Sequence, residues 1–162
     1  MSVTDEYPAN NEAYAAPFTG PLPLPPSRQV AVVVRTDTRL NVNGVLGPRE
    51  DEARAIRNAD DVVTNDAIRS PAISQRLLGA REIILVHHTD RGMTTFTDDV
   101  VKRGIEEETG LRPGWAAESF PDAEEDVAQA ARRIAAGPFV PHTDSLRGFV
   151  LDVATGRPKE AR

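Results

Sequence analysis

The chain alternates between short, continuous apolar runs and longer segments in which apolar residues recur at helical spacing. The apolar runs cover residues 29–34, 82–86 and 147–153. Each run is typical of a strand buried on both faces of a parallel sheet. Residues 50–56 are mixed, with a short strand candidate at 53–56. The runs therefore predict the strands of one sheet.

Segments with helical spacing lie between these strands, at residues 62–78, 97–109 and 122–136. In the first segment, Ser70 and Pro71 suit an N-cap and first-turn pair, so we expect a break or a fresh helix start there. Thr97 is expected to cap the second helix, and Gly79 and Gly110 to end the first and second. Alternating strands and helices predict an α/β fold in which helices flank a central, mainly parallel β-sheet.

Residues 1–28 differ in composition from the rest of the chain. They are polar at first and then proline-rich, in the run FTGPLPLPP from Phe18 to Pro26. Proline at this density favours an extended chain. The segment is either a disordered tail or an arm that lies across a partner subunit, for which it has the apolar anchors Tyr7, Tyr14, Phe18, Leu22 and Leu24. We favour the arm and expect residues 29–162 to form the domain.

The bulk composition narrows the class of protein. A chain of 162 residues has the size of one domain. Its net charge of −6 argues against general nucleic-acid binding, which usually shows a basic face. No apolar run approaches the roughly 20 residues that a membrane-spanning helix needs. Residues 1–14 have neither the basic start nor the apolar block of a secretory signal. We therefore expect a cytoplasmic protein that binds neither membranes nor nucleic acids.

The sequence contains no cysteine. This excludes disulfides, thiolate nucleophiles and every zinc site that is built with sulfur ligands. Any chemistry of this chain therefore depends on oxygen and nitrogen side chains.

Polar side chains concentrate where two of the predicted strands end. Residues 35–39 read RTDTR, and residues 87–91 read HHTDR. In parallel sheets, ligands bind beyond the carboxyl ends of the strands, so the two segments would face one crevice if their strands are neighbours. Successive side chains on a strand point to opposite faces. His87 is therefore expected to point away from His88 and to serve packing.

Other segments carry a recognisable pattern. They are PLPLPPS at 21–27, IRNA at 56–59, AISQRLLG at 72–79, IILVHHTD at 83–90 and SLRGFV at 145–150. With the two strand ends they span nearly the whole chain, which resembles the β-class carbonic anhydrases, in particular their small prokaryotic subtype. The resemblance implies that family's fold and its dimers with embracing arms and sites near the subunit interface. We therefore expect a homodimer or a higher even oligomer.

The family has two motifs, C-x-D-x-R and H-x-x-C, whose two cysteines and histidine hold a catalytic zinc. The resemblance aligns the first motif with residues 35–39 and the second with residues 88–91. Asp37 and Arg39, which the resemblance implies as a catalytic dyad, are retained, and so is His88. Both thiolate positions, 35 and 91, are arginine.

Arginine cannot replace a thiolate ligand. A guanidinium stays protonated and has five donors and no acceptor, so it does not coordinate a metal. At roughly 4 Å and an effective dielectric constant of about 20, each arginine would repel a divalent ion by about 8 kcal/mol. Without zinc, no residue generates hydroxide near neutral pH in the same way. We therefore predict no metal cofactor, and a protein that is not an ordinary zinc carbonic anhydrase.

Three functions remain open. In the first, the pocket binds a small anion such as a carboxylate, bicarbonate or phosphate. It would then catalyse metal-free hydrolysis, dehydration or decarboxylation, with Asp37 as general base and His88 as acid or base. The expected anion-binding residues are Arg35, Arg91 and Gly92, and the expected catalytic residues are Asp37, Arg39 and His88.

The second function is that of a non-catalytic homologue with a regulatory or structural role. In it, Arg35 or Arg91 pairs with an internal aspartate, namely Asp37, Asp60, Asp61 or Asp90. The third is residual carbonate dehydratase activity at an unorthodox metal site of His88, Asp37 and a further aspartate. A filled pocket predicts that both arginines are paired with aspartates, whereas an active one predicts an unpaired guanidinium that faces an open cleft.

Overall fold

The computed structural model describes residues 2–59, 64–90, 96–115 and 122–161. Within these ranges the strands are β1 (Val30–Arg35), β2 (Ala53–Asn58), β3 (Glu82–His88), β4 (Leu146–Asp152) and β5 (Arg157–Glu160). They form one sheet in the order β2-β1-β3-β4-β5. The pairs β1–β2, β1–β3 and β3–β4 are parallel, and β4–β5 is antiparallel. The predicted α/β fold with a mainly parallel sheet is therefore confirmed.

Strands β1 and β3 are neighbours at the centre of the sheet, as the crevice at their ends requires. Val34 of β1 lies opposite Val86 of β3. Residues 31–34 of β1 are all buried, because both faces of the sheet are covered at this point. The segments that follow Arg35 and His88 therefore leave the sheet side by side.

The helices are α1 (Val3–Ala15), α2 (Val42–Leu46), α3 (Asn65–Arg76), α4 (Asp98–Thr109) and α5 (Ala123–Ala136). The predicted caps of α4 are confirmed. The Thr97 hydroxyl accepts a hydrogen bond from the backbone N–H of Val100 at 3.4 Å, and Gly110 takes the left-handed conformation with φ 74°. At α5, the Asp122 carboxylate accepts from the backbone N–H groups of Glu124 and Glu125.

The predicted helix break at Ser70-Pro71 is wrong. Helix α3 runs continuously from its Thr64 cap to Arg76. Proline removes one backbone donor from the helix interior, but Pro71 is fully buried. Burial of the Pro71 ring offsets the lost hydrogen bond. Tertiary packing therefore outweighs the tendency of proline to break a helix.

The sequence pattern did not predict α1, α2 or β5. Helix α1 contains Pro8, and its apolar residues do not gather on one face. All four residues of β5 are exposed, so this edge strand has no apolar alternation to reveal it. The backbone pairing of β5 with β4 decides its structure.

Two apolar clusters cover the two faces of the sheet. One joins α5 to the strands and includes Val33, Ile83, Leu85, Val127, Ala130, Ile134 and Val150. The other packs the segment after β1 on the opposite face and includes Val32, Val34, Leu40, Val42, Val86 and Leu151. Because β1 and β3 contribute to both clusters, their ends are held in place from both sides.

The end of the arm packs on its own chain. Pro26 is buried, the Arg54 guanidinium donates to the Leu24 carbonyl at 2.5 Å, and the Ser27 N–H donates to the Asp51 carbonyl at 2.8 Å. Nearer the N-terminus, the Tyr14 hydroxyl donates to Glu50 at 2.9 Å, while Tyr7 is 69% exposed. No helix within the described ranges is long and apolar enough to cross a membrane.

Candidate functional site

The turn that follows β1 is built by backbone hydrogen bonds and one arginine. The Leu40 N–H donates to the Asp37 carbonyl at 3.1 Å, which closes the turn. Arg57 of β2 donates to the Arg35 carbonyl at 2.9 Å and to the Leu40 carbonyl at 2.5 Å. Sequence analysis missed Arg57, although it lies opposite Val34 in the sheet register and so next to the turn. These bonds fix the position of Asp37.

Arg39 joins the ends of β1 and β3. Its Nε and Nη2 donate to the two carboxylate oxygens of Asp37 at 3.0 and 2.8 Å. Its Nη1 and Nη2 also donate to the side chain and carbonyl of Asp90 at 2.8 and 3.0 Å. The side-chain nitrogens of Arg39 are therefore all engaged with protein oxygens. Arg39 therefore positions Asp37 and ties it to Asp90.

Asp37 is ionised. The hydrogen bonds from the Arg39 side chain hold the pKa of the Asp37 carboxyl well below its usual range, against an opposing effect of burial. The backbone N–H of Arg39 donates a further hydrogen bond to the carboxylate at 2.8 Å. Asp37 is thus a permanent acceptor at the mouth of the crevice.

His88 lies at the end of β3 with its side chain 1% exposed. Its Nδ1 is 2.7 Å from the Thr89 carbonyl oxygen. A carbonyl only accepts, so the proton of the neutral ring resides on Nδ1 and the lone pair on Nε2. Nε2 is 3.5 Å from Asp37 Oδ2 and has no hydrogen-bond partner among the residues that the structure describes. Burial lowers the pKa of His88, which favours this neutral ring.

Arg35 has only part of its hydrogen-bonding capacity satisfied. Its Nε donates to the Ala59 carbonyl at 3.1 Å. Its Nη1 is buried and has no hydrogen-bond partner in the described part of the chain, where Arg35 also forms no ion pair with an aspartate. After burial, which is the main cause, the charge of Arg35 contributes to the lowered pKa of His88.

The structure therefore brings together four of the six predicted site residues: Arg35, Asp37, Arg39 and His88. The other two, Arg91 and Gly92, lie outside the described residues, as do the candidate partners Asp60 and Asp61. Asp90 does pair with an arginine, but with Arg39. The pairing that a filled pocket predicts for Arg35 is not found among the described aspartates.

His87 points to the opposite face of the sheet from His88, as the strand alternation predicts. Its Nδ1 is 3.1 Å from Asp126 Oδ2 of α5, and both side chains are buried. Asp126 is thus buried, although it belongs to the acidic first turn of α5. Asp126 directly precedes Val127 on the face of α5 that is buried. This helical position is the sequence feature that could have predicted its burial.

The zinc ligands that the family resemblance implies do not fit these residues. The chain has no cysteine, and Arg35 stands at one of the ligand positions. In the described ranges, no group of three or more histidine, aspartate or glutamate side chains is arranged to hold a metal ion. His88 and Asp37 are two potential ligands that face a guanidinium.

The ionised state of Asp37 predicts a dependence of stability on pH. Because the folded-state pKa is lowered, the unfolded chain takes up a proton first as the pH falls. Stability from Asp37 is present above the ordinary pKa of about 4 and is lost below it. We expect Asp37→Asn to be less stable than the native protein near neutral pH, with a difference that narrows as the pH falls.

Urea unfolding between about pH 7 and about pH 3 measures this difference. The matched control is Asp144→Asn, which changes an exposed aspartate in the loop before β4. Its unfolding free energy should follow the native curve throughout. A native-minus-Asp37→Asn difference that stays constant over the range would contradict the assignment.

Comparison with known proteins agrees with this architecture, although no family model matches the chain. The chain is 62% identical over 160 residues to β-carbonic anhydrase 1 of Mycobacterium tuberculosis, covering 99% of this chain and 98% of that protein. It is 31% identical to a carbon disulfide hydrolase of Acidithiobacillus thiooxidans, covering 86% and 81% of the two chains. The crystal structure of carbonic anhydrase from Streptococcus mutans superposes with a TM-score of 0.93 at 35% identity, covering 100% and 99%. The chain therefore belongs to the β-carbonic anhydrase family.

Proposed function

We propose that this protein is a carbonic-anhydrase-like anion-binding protein that works without the family's zinc–thiolate site. The observation that carries the proposal is the buried Nη1 of Arg35, which has no hydrogen-bond partner among the described residues. A buried donor left without a partner costs about 1–3 kcal/mol, and more when it is charged. A ligand oxygen that accepts from Nη1 removes this cost, so the site favours an anion.

The ligand class is a small carboxylate or a related oxyanion. Guanidinium donors match planar oxyanions in geometry and in charge. Asp37 is an ionised hydrogen-bond acceptor beside the site, and the neutral His88 ring presents the lone pair of Nε2 as the group that takes up a proton. These groups suit the transfer of a proton in hydrolysis, dehydration or decarboxylation of a small acid. Arg39 holds Asp37 in place, and Arg91 and Gly92 complete the proposed anion site.

The exclusion of zinc can be measured directly. We expect the purified protein to contain far less than one zinc per chain by elemental mass spectrometry, because guanidinium groups occupy both thiolate positions. The double substitution Arg35→Cys with Arg91→Cys should restore about one zinc per chain, since His88 is retained and thiolates are the ligands that zinc prefers.

Native protein with one zinc per chain would contradict the proposal and direct attention to His88 and the aspartates. The single substitution Arg35→Cys is the matched control, and it should bind zinc much more weakly than the double variant. A folded double variant without zinc would show that the pocket differs from the family site in more than its ligands.

A second candidate function is that of a non-catalytic homologue with a regulatory or structural role. The observation that favours it is burial. Neither Arg35 Nη1 nor His88 Nε2 is exposed to solvent, so an anion reaches them only when the pocket opens. If the pocket stays closed, Arg35 occupies the site and no ligand binds there. The protein would then act only through its regulatory or structural role.

Anion titration separates the two candidates. We expect acetate, bicarbonate or phosphate to raise the melting temperature and to give saturable binding heats. Arg35→Met keeps the chain length of the side chain and removes its donors, so it should weaken binding at least about tenfold, the worth of one charged hydrogen bond.

Arg132→Gln is the matched control, because Arg132 lies on the exposed face of α5 and pairs with Glu125. It should bind anions like the native protein. If no anion binds to the native protein, the non-catalytic role is supported in place of the anion-binding one. Equal binding by native protein and Arg35→Met would place the anion elsewhere.

We also propose a cytoplasmic homodimer or higher even oligomer in which residues 1–28 pack on a partner subunit. Apolar side chains of a single chain remain exposed, with Tyr14 at 50% and Val100 of α4 at 59%, and no residue of α4 is buried. A second subunit would cover such surfaces.

Sedimentation velocity at micromolar concentration tests this assembly. We expect a species of at least twice the monomer mass, and deletion of residues 2–16 should shift it toward the monomer. A native protein that sediments as a monomer would contradict the proposal.

A further inference from the structure

Helix α1 has little packing on its own chain. Every described side chain of α1 is exposed, and the helix is tied to the domain by the Tyr14 hydroxyl, which donates to Glu50 at 2.9 Å. A helix of 13 residues is only marginally stable in water on its own, and Pro8 removes a backbone donor from its interior. Helix α1 therefore needs a surface to pack against.

One side of α1 is apolar. Its alanines are scattered around the helix, but Val3, Tyr7 and Tyr14 are separated by four and seven residues, which places these larger side chains on one face. They are 58%, 69% and 50% exposed. At a rise of about 1.5 Å per residue, this face is about 16 Å long.

An apolar groove of about 520 Å³ runs along the outer side of α3. We call it the α3 groove, and its apolar lining consists of Ile68, Ala72, Ile73 and Leu77 with Phe139 from the loop after α5. Leu77 is 75% exposed and Phe139 is 59% exposed. The stretch from Ile68 to Leu77 is about 14 Å long. The groove and the apolar face of α1 are therefore similar in length and in character.

We propose that the α3 groove binds helix α1 of a second copy of this chain, and that each α1 of a two-fold pair lies on the other subunit's α3. The inference rests on the proposed assembly and adds the surface that receives the arm. A two-fold pair uses the same two surfaces twice, so it covers both helices and both grooves.

Charge favours this pairing. Helix α1 contains three acidic residues and no basic one, whereas Arg69 and Arg76 line the groove. Among the described residues, Arg76 donates to two backbone carbonyls of the loop after α5 and forms no ion pair, so no carboxylate there neutralises it. Glu6 directly precedes Tyr7 and lies beside the apolar face of α1. An acidic helix therefore meets a basic rim.

The competing occupant of the α3 groove is the α1 of the same chain. The arm joins the domain at Leu24, whose carbonyl shares the Arg54 guanidinium with the Leu78 carbonyl at the end of α3. Helix α1 nevertheless contacts Glu50, and Tyr7 and the groove both remain exposed. The exposed face of α1 is thus available to a second subunit.

Site-specific cross-linking of the full-length protein tests the contact, because the native chain has no cysteine. Tyr7→Cys and Leu77→Cys are made as separate variants, one with a size tag, and are co-expressed and treated with a short bismaleimide. We expect a cross-linked heterodimer, since the two positions would share one contact. Tyr7→Cys with Gln129→Cys is the control pair, because Gln129 is exposed on α5, and it should not cross-link.

Leu77→Glu tests what the contact contributes to assembly. The side chain is largely exposed in the single chain, so the domain should still fold. A charge buried against α1 should raise the dissociation constant of the dimer at least about tenfold, which sedimentation over a concentration series measures. Gln129→Glu places the same charge on an exposed position of α5, and it should leave the constant unchanged.

The outcomes separate the contact from the assembly. If the native protein is a monomer, the proposed assembly fails and the inference fails with it. If the native protein is a dimer that Leu77→Glu leaves intact and the Tyr7–Leu77 pair does not cross-link, the assembly stands and the α3 groove is the wrong surface. A cross-linked product of monomer mass from the double variant Tyr7→Cys with Leu77→Cys assigns the groove to the same chain's α1 and also overturns the inference. Should Leu77→Glu not fold, cross-linking decides.

Discussion

The parallel pairing of β1 with β3 is the constraint on which the candidate site depends. It sets Val34 opposite Val86, so that two chain segments leave the sheet at the same edge and on neighbouring strands. Apolar clusters cover both faces of the pair, and a slip of either strand by one residue would reverse the side chains of a buried strand. The observed register decides which polar groups meet at this edge of the sheet.

Two arginines at this edge of the sheet have different hydrogen-bond partners. Arg39 donates side-chain hydrogen bonds to Asp37 and Asp90 and so links the segments that follow β1 and β3. Arg35 donates through Nε to the Ala59 carbonyl, and its buried Nη1 has no hydrogen-bond partner among the described residues. A permanent cation with donors differs from a metal ion in one decisive respect, because it attracts anions but cannot accept a lone pair. This difference is the basis of the proposal that the site binds an anion.

The strands at the centre of the sheet and the helices with clear caps could be predicted from the chain alone. Continuous valine and isoleucine runs have few alternatives to a buried strand, and Thr97 with Gly110 marks both ends of α4. The break expected at Pro71 did not occur, since burial of the ring decided that helix. Asp126 is buried beside His87, and its acidic side chain gave no indication of this in the sequence.

The sequence by itself determined the family pattern, the retained Asp37, Arg39 and His88, and the absence of any thiolate. These conclusions follow from residue types, which do not depend on how the chain folds. The tertiary structure alone decided the partner of each polar group. Arg39 engages both Asp37 and Asp90, the Thr89 carbonyl sets the His88 tautomer, and Arg35 is left with a buried donor that has no partner among the described residues. A hydrogen bond forms only when its two atoms lie within a narrow range of distances. The atoms here belong to segments that are far apart in the chain, and no residue pattern encodes their separation.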